Sequence, residues 1–264
     1  MNTTATDSAP ILSIENMAVH FGGLVAVSGL NFVVHEKEIV SLIGPNGAGK
    51  TTAFNVITGF LKPTEGTVRH RGTSLNGLRP NEIAERGVVR TFQKTSVFDG
   101  STVFDNVLTG LHLRGNSRSW EILLNLSRVR AEERGLRETV TEILDLVGLL
   151  GQSRKMASDL PYGEQRLLEV AVALSAEPSL LLLDEPVSGM NPSETESFME
   201  FVSRIRDRGT TILLVEHDMR MVMGVSDRVI VLNQGTVIAE GTPTEIQHNP
   251  EVIRAYLGRG SADA

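Results

Sequence analysis

The sequence has no cysteine, which excludes a disulfide framework and any thiolate metal site. Long apolar runs are missing as well. No stretch approaches the roughly 18 uninterrupted apolar residues that a membrane span needs. The most apolar stretch, Ala171 to Val187, is broken by Glu177, Pro178, Asp184 and Glu185. Residues 1–10 lack both the basic start and the apolar centre of a signal peptide. Positive charge is also short: the formal net charge of −7 argues against broad nucleic-acid binding, because phosphate backbones select basic faces. No internal repeat or low-complexity segment is present. These absences point to a cytoplasmic, soluble protein that is free to dock on a membrane protein.

What remains is ample material for a packed core. With 264 residues, 41% apolar and 22% charged, the chain is long enough for one large or two small domains. The most informative stretch is Ile39-Val-Ser-Leu-Ile-Gly-Pro-Asn-Gly-Ala-Gly-Lys-Thr-Thr52. Gly44, Gly49, Lys50 and Thr51 fit the Gly-x-x-x-x-Gly-Lys-[Ser/Thr] pattern of a phosphate-binding loop. A β-rich run feeds the glycines, and a helix-like stretch from Lys50 to Thr58 leaves them. Successive backbone N–H groups in such a loop point inward, and the helix dipole favours a phosphate there. Pro45, Asn46, Gly47, Ala48 and Thr52 complete the cradle. Lys50 is placed to reach the outer phosphates, and the Thr51 hydroxyl to ligate magnesium. The stretch predicts a nucleoside triphosphate site.

Along the chain, residues 1–10 read as a flexible tail. The runs Leu12–Phe21, Leu24–Val27 and Leu30–Val34 read as an antiparallel sheet leading into the P-loop strand, with a turn at Gly22-Gly23. Phe21, at a strand end, is either filler or a surface on which a purine stacks. Short strands are predicted at Thr67–Arg69 and Val88–Phe92, with Pro80–Arg86 a helical turn between them and Gln93 closing the second strand. From Ser101 to about Gln152 the signal is helical. Val103, Val107, Leu108 and Leu111 share one face, and so do Leu136, Val140, Ile143, Leu144 and Val147. The Arg- and Glu-rich Trp120–Arg137 reads as a solvated face. This region is a helical subdomain inserted into an α/β core.

A helix-opening turn, Leu160-Pro-Tyr-Gly-Glu-Gln165, precedes an apolar helix that Pro178 ends. Leu180-Leu-Leu-Leu-Asp-Glu185 reads as a buried parallel strand closing on two acids. Pro192–Arg206 is an amphipathic helix, and Thr211–Val215 another buried strand that ends at Glu216-His217-Asp218. Alternating buried strands and helices imply a doubly wound, mostly parallel sheet whose ligands gather beyond the strands' carboxyl ends. Gly44, Asp184 and His217 all fall there. Beside a P-loop, Asp184 is the expected magnesium holder opposite Thr51. Glu185 is the expected general base, or orienter, of a water attacking the γ-phosphate. His217 is placed to sense that phosphate.

At this point the chain resembles the nucleotide-binding subunits of ABC transporters, from Ile11 to Gly258 and with the motifs in that family's order. Gly44–Thr52 match Walker A, Gln93 the Q-loop, Leu160–Gln165 the signature and Leu180–Glu185 Walker B. Ser188-Gly-Met-Asn191 match the D-loop, His217 the H-loop, and Phe21 falls where the adenine-stacking aromatic is expected. The resemblance implies an α/β fold: an ABC-type P-loop ATPase with a RecA-like, mostly parallel core (residues 11–100 and 166–258), an N-terminal antiparallel β subdomain and an inserted α-helical subdomain (101–165), followed by a tail (259–264). It implies ATP and Mg2+ as cofactors, with Thr51, Gln93 and Asp184 around the metal and Glu185, His217 and Gln93 in catalysis. It also implies a dimer closing on two ATP molecules, in which Pro161, Tyr162, Gly163 and Glu164 act on the partner's ATP.

Two motifs, the signature and the D-loop, depart at four positions from the family's Leu-Ser-Gly-Gly-Gln and usual aspartate. Pro161 replaces the serine, Tyr162 the first glycine and Glu164 the glutamine, and Asn191 replaces the D-loop aspartate. A signature of this form is similar to that of branched-chain amino-acid uptake systems. So are Phe21-Gly-Gly-Leu-Val-Ala26, Val89-Arg-Thr-Phe-Gln93, Gly189-Met-Asn-Pro192 and Val252-Ile-Arg-Ala-Tyr-Leu-Gly258. The subfamily implies a heterodimer with a sister ATPase, two integral-membrane permease subunits and an extracytoplasmic substrate-binding protein, with this chain peripheral on the cytoplasmic face of the membrane. In isolation a homodimer is the alternative to that heterodimer, and nucleic acid is not an expected partner. Two other readings compete. A lipid or lipopolysaccharide exporter's ATPase shares the stretch Gly241-Thr-Pro-Thr-Glu245; a soluble ABC protein of translation or DNA repair calls for two cassettes or a long coiled coil, and for basic surface.

Overall fold

A computed structural model describes residues 9–91, 97–112 and 127–257. The amino-terminal strands β1 (Leu12–Phe21) and β2 (Leu24–Val34) form a hairpin. With β4 (Glu65–His70) and β5 (Thr73–Ser74) they make a four-stranded antiparallel sheet in the order β2-β1-β4-β5. The two runs expected at Leu24–Val27 and Leu30–Val34 are one strand. Gly29, at φ +58, lets it continue through a shift in register against β1.

The second sheet holds β3 (Ile39–Ile43), β6 (Val88–Arg90), β7 (Leu180–Asp184), β8 (Thr211–Val215), β9 (Arg228–Asn233) and β10 (Thr236–Gly241), in the order β10-β9-β3-β8-β7-β6. All neighbours pair in parallel except the β9–β10 hairpin. Every residue of β3, β7 and β8 is buried, as expected of strands covered on both faces. The pleat divides β7 between two cores. Leu180 and Leu182 pack with the antiparallel sheet and Phe54, whereas Leu181 and Leu183 pack with the helical layer. Strand β6 ends at Arg90, short of the expected Val88–Phe92: Thr91 lies beyond it although its N–H still donates to the Leu182 carbonyl at 3.0 Å, and Phe92 lies outside the described residues.

The helices are α1 (Lys50–Ile57), α2 (Pro80–Glu85), α3 (Val103–His112), α4 (Ser127–Leu146), α5 (Tyr162–Ser175), α6 (Pro192–Asp207), α7 (Met219–Val225), α8 (Pro243–Gln247) and α9 (Pro250–Leu257). Helices α3, α4 and α5 pack on one another. Val103, Val107 and Leu111 of α3 are buried, as are Val140, Leu144 and Val147 in or just after α4, which are the faces their periodicity predicts. Residues 113–126, and with them Trp120, lie outside the described residues. The start of α6 follows from its sequence. The Asn191 side chain accepts from the Ser193 and Glu194 N–H groups, Glu194 answers to the Asn191 N–H, and Pro192 fills the first helical position. Opposite this end, α6 buries Phe198 and Phe201, edge to face at 5.8 Å. No helix among the described residues is long and apolar enough to cross a membrane.

Candidate nucleotide site

Strand β3 delivers the chain to Gly44 at the middle of the parallel sheet, between β8 and β9. Gly44 has φ +149, and a Cβ there would lie 2.1 Å from the Leu232 carbonyl oxygen of β9. Only glycine allows that approach. Gly49, at φ +102, sits immediately before α1, and a Cβ there would meet the Ala26 carbonyl at 2.8 Å. The loop is thus wedged between β9 and the β1–β2 hairpin, and Gly235 reinforces it by donating its N–H to the Ala48 carbonyl. No side chain caps the start of α1. Its N–H groups and dipole are left for a ligand of negative charge.

Lys50 is buried, and its ammonium bends back to donate to the Gly44 carbonyl at 2.6 Å and the Pro45 carbonyl at 3.1 Å. Burial pushes the amine below its ordinary pKa, while Glu185 and Asp184 oppose the change. Thr51 is exposed beside it. Phe21 stands at the tip of the β1–β2 hairpin and is half exposed. Tyr256 of α9 also approaches the loop: partial burial raises the pKa of its phenol, and the nearby Gly44 N–H opposes that rise. Only its place in the carboxyl-terminal Val252–Gly258 stretch hinted at a role.

Two strands away, β7 ends at Asp184, 2% exposed. Its Oδ2 accepts from Arg90 Nη2 at 2.5 Å. Its Oδ1 is buried with no protein partner, an unusual state for a carboxylate oxygen. Oxygen donors of this kind, one carboxylate and the Thr51 hydroxyl, suit a hard divalent cation that keeps water and phosphate oxygens as its other ligands. No group of three or more His, Cys, Asp or Glu side chains placed to hold a metal ion by itself is present among the described residues. Arg90 also donates to Asn55 Oδ1 of α1 at 2.7 Å and lies over the Phe54 ring at 5.5 Å. An arginine inside a short apolar strand was the one sequence signal for it.

Glu185 follows with φ +47, a left-handed conformation that costs a non-glycine residue roughly 1–3 kcal/mol. The geometry holds because its N–H donates to the Val215 carbonyl at 2.8 Å. The twist directs the carboxylate toward His217, whose Nδ1 lies 4.0 Å from Glu185 Oε1. Glu216, 1% exposed, was read only as part of a strand end. It is the organiser of this corner. Its carboxylate accepts from the N–H groups of Val187 at 3.1 Å, His217 at 2.9 Å and Asp218 at 3.1 Å. The acid before His217 therefore ties the segment after Walker B to the end of β8. Gln93 lies outside the described residues.

The Leu160–Gln165 turn opens α5, with Pro161 in the capping position and no side-chain cap. Pro161, Gly163 and Glu164 line a cleft with Met190, Ser193, Glu194 and Ser197, and no P-loop residue contributes to it. Gly163 sits so close to Glu194 that a Cβ would meet that carboxyl at 3.1 Å. Glu164 Oε1 accepts from Gln152 at 3.2 Å, whereas its Oε2 is buried without a partner. Tyr162 turns its hydroxyl to the Ser188 carbonyl, at 3.0 Å. Within one chain, then, the fold brings Gly44–Thr52, Asp184, Glu185 and His217 together and leaves the signature turn in a separate cleft.

A triphosphate cradle, a lone acid oxygen and a glutamate–histidine pair on three adjacent parallel strands define a P-loop ATPase; the antiparallel sheet on one face and the helical layer on the other make it an ATP-binding cassette. The sequence profile described as "ABC transporter" matches residues 27–188, and the one described as "Branched-chain amino acid ATP-binding cassette transporter" matches residues 236–262. The chain is 47% identical over 95% of its length, and 99% of the relative's, to the high-affinity branched-chain amino acid transport ATP-binding protein LivG of Escherichia coli. It is 44% identical, over 95% of its length and 99% of the relative's, to BraF of Pseudomonas aeruginosa, which carries the same description. The ADP conformation of MJ1267, described as an ATP-binding cassette of an ABC transporter, superposes with a TM-score of 0.83 at 30% identity, covering 95% of this chain and all of the other. The chain belongs to the ABC transporter family and is an ATPase of its ATP-binding-cassette type.

Proposed function

We propose that this chain is the energy-coupling ATPase subunit of an importer for branched-chain or closely related hydrophobic amino acids. The observation that carries the reading is 47% identity over 95% of the chain to LivG; the carboxyl-terminal match over residues 236–262 adds to it. The partners of this reading are a sister ATPase, two permease subunits and an extracytoplasmic binding protein, with the chain peripheral on the cytoplasmic face of the membrane. The lipid-exporter and soluble readings have no comparable support.

ATP lies with its phosphates in the Gly44–Thr52 cradle and its adenine on Phe21. Lys50 leaves the Gly44 and Pro45 carbonyls for the outer phosphates, an exchange made easier because its ammonium is already dehydrated. Thr51, Asp184 and Gln93 would hold Mg2+, which when bound would supply positive charge to the phosphate oxygens. Glu185 accepts a hydrogen bond from the attacking water and takes its proton. His217, positioned by Glu216, donates to the γ-phosphate as negative charge shifts toward the leaving oxygen. The partner's signature helix closes the site and excludes water, and the same step draws the Gln93 segment and helical subdomain toward the permeases. The test is co-purification from membranes. Two permease subunits and a sister ATPase should accompany the chain, and reconstituted vesicles should take up leucine, isoleucine or valine only with ATP. A complex with ribosomes or DNA instead, or uptake indifferent to ATP, contradicts the reading.

A further inference from the structure

We infer that Tyr162 is a positioning residue, a latch that fastens the signature helix to the D-loop of its own chain, rather than a contact to the partner's phosphate. Four observations converge on it. The Tyr162 hydroxyl donates to the Ser188 carbonyl at 3.0 Å. The same oxygen accepts from Arg166 Nε at 3.1 Å, one turn further along α5. The Arg166 guanidinium stacks over the Tyr162 ring at 5.4 Å, and its other edge is fixed by Glu169 at 2.9 Å, both partners being buried. Gly189, at φ +84, lies against the ring so closely that a Cβ would stand 3.2 Å from it.

The phenol hydroxyl is thus engaged within its own chain, donating to Ser188 and accepting from Arg166, while the residue as a whole stays 44% exposed. It joins α5 to Ser188-Gly189, and the connection continues inward. The neighbouring Val187 N–H donates to the Glu216 carboxylate, which in turn holds the His217 backbone beside Glu185. The signature turn of this chain is therefore mechanically continuous with its own glutamate–histidine pair. Engagement of the partner's nucleotide by Gly163 and the α5 N-terminus reaches the chain's own water-activating groups through a phenol hydroxyl, one carbonyl and one buried carboxylate. This role for the signature rests on the composite-dimer reading; the latch itself does not.

The test uses the full chain with Tyr162→Phe, which keeps the ring against Gly189 and removes both hydrogen bonds. Backbone hydrogen exchange over residues 186–190 should rise about fivefold or more, with residues 50–57 unchanged. In a Glu185→Gln background, ATP-driven dimerisation should weaken by about five- to tenfold, while ADP affinity of the isolated chain stays within about twofold. Arg166→Lys, which keeps the charge on Glu169 and loses the Nε donor, should give the same pattern at smaller amplitude and serves if the phenylalanine variant folds poorly. A general packing defect would raise exchange throughout the chain. Unchanged exchange over 186–190 in both variants overturns the latch. If the Glu185→Gln parent itself does not dimerise with ATP, the composite-site reading fails, and the exchange data still decide the latch.

Discussion

Arg90 and Asp184 meet at 2.5 Å in the interior, with side chains 8% and 1% exposed. The pair joins the strand that leads toward Gln93 to the strand that ends at Asp184-Glu185, and through Asn55 to the P-loop helix. One guanidinium thereby fixes the orientation of the carboxylate whose second oxygen is left without a protein partner. Removing one member of a buried pair strands the other charge, at about 3–5 kcal/mol. Arg90→Ala should lower the stability measured by urea unfolding by roughly that amount. Asp184→Asn, which can keep one hydrogen bond, should lose less stability and more Mg-dependent ATP binding.

The glycines of the cradle separate steric from conformational cost. Gly44→Ala places a methyl 2.1 Å from the Leu232 carbonyl, whereas Gly47, at φ +77, has nothing within 4 Å of its Cβ position. The first substitution should cost more than about 3 kcal/mol, the second about 1–2 kcal/mol from the left-handed backbone alone. Thermal unfolding of the two variants side by side checks the order. Equal losses would contradict the wedged position of Gly44 against β9.

Lys50 makes charge-assisted contacts to the Gly44 and Pro45 carbonyls, and in the proposed complex would exchange them for the outer phosphates. Each is worth about 1.5–3 kcal/mol, so Lys50→Ala should weaken ATP binding roughly 10- to 150-fold. Titration with a fluorescent ATP analogue reads the change directly. An affinity within about twofold of the parent would remove Lys50 from the phosphate site.

His70 provides a pH signature away from the site. Its imidazole is buried beside Ser179 at 3.0 Å. Burial, helped by Arg71 and Arg86 against Glu36, lowers its pKa from 6.5 to about 4. The unfolded chain takes up this proton near 6.5 and the folded chain only near 4, so between those values the unfolded state holds more protons. Stability should therefore rise with pH across the window, and be lost as pH falls from about 6.5 to about 4, by roughly 3 kcal/mol for this group. Urea midpoints of the parent and a His70→Gln variant at several pH values should show a shallower slope for the variant; identical slopes would exclude His70 as the source.

The parts of the site that depend on backbone and chain order were legible in the sequence. Gly44, Gly49 and Lys50 announce a loop because no other residues fit it. The runs Ile39–Ile43, Leu180–Asp184 and Thr211–Val215 announce buried parallel strands because they lack polar alternation. What stayed hidden depends on partners distant in sequence. Arg90, Glu216 and Tyr256 are unremarkable in one dimension; the first answers an acid 94 residues away, and Tyr256 meets Gly44 only once α9 has folded back. Tyr162 was read as an outward signature residue, and its inward hydrogen bond to Ser188 becomes visible only in three dimensions. The β9–β10 hairpin carried no motif, yet its Leu232 and Gly235 shape the P-loop.

In the proposed mechanism Glu185 activates the water at a site built by Lys50, Thr51 and Asp184. Phosphate release and ATP retention by Glu185→Gln, in the presence of Mg2+ and the sister ATPase, test that role. Turnover should fall by about 100-fold or more, with ATP affinity preserved and unhydrolysed ATP trapped in a closed dimer. Continued hydrolysis near the parent rate, or loss of ATP binding together with activity, would contradict it.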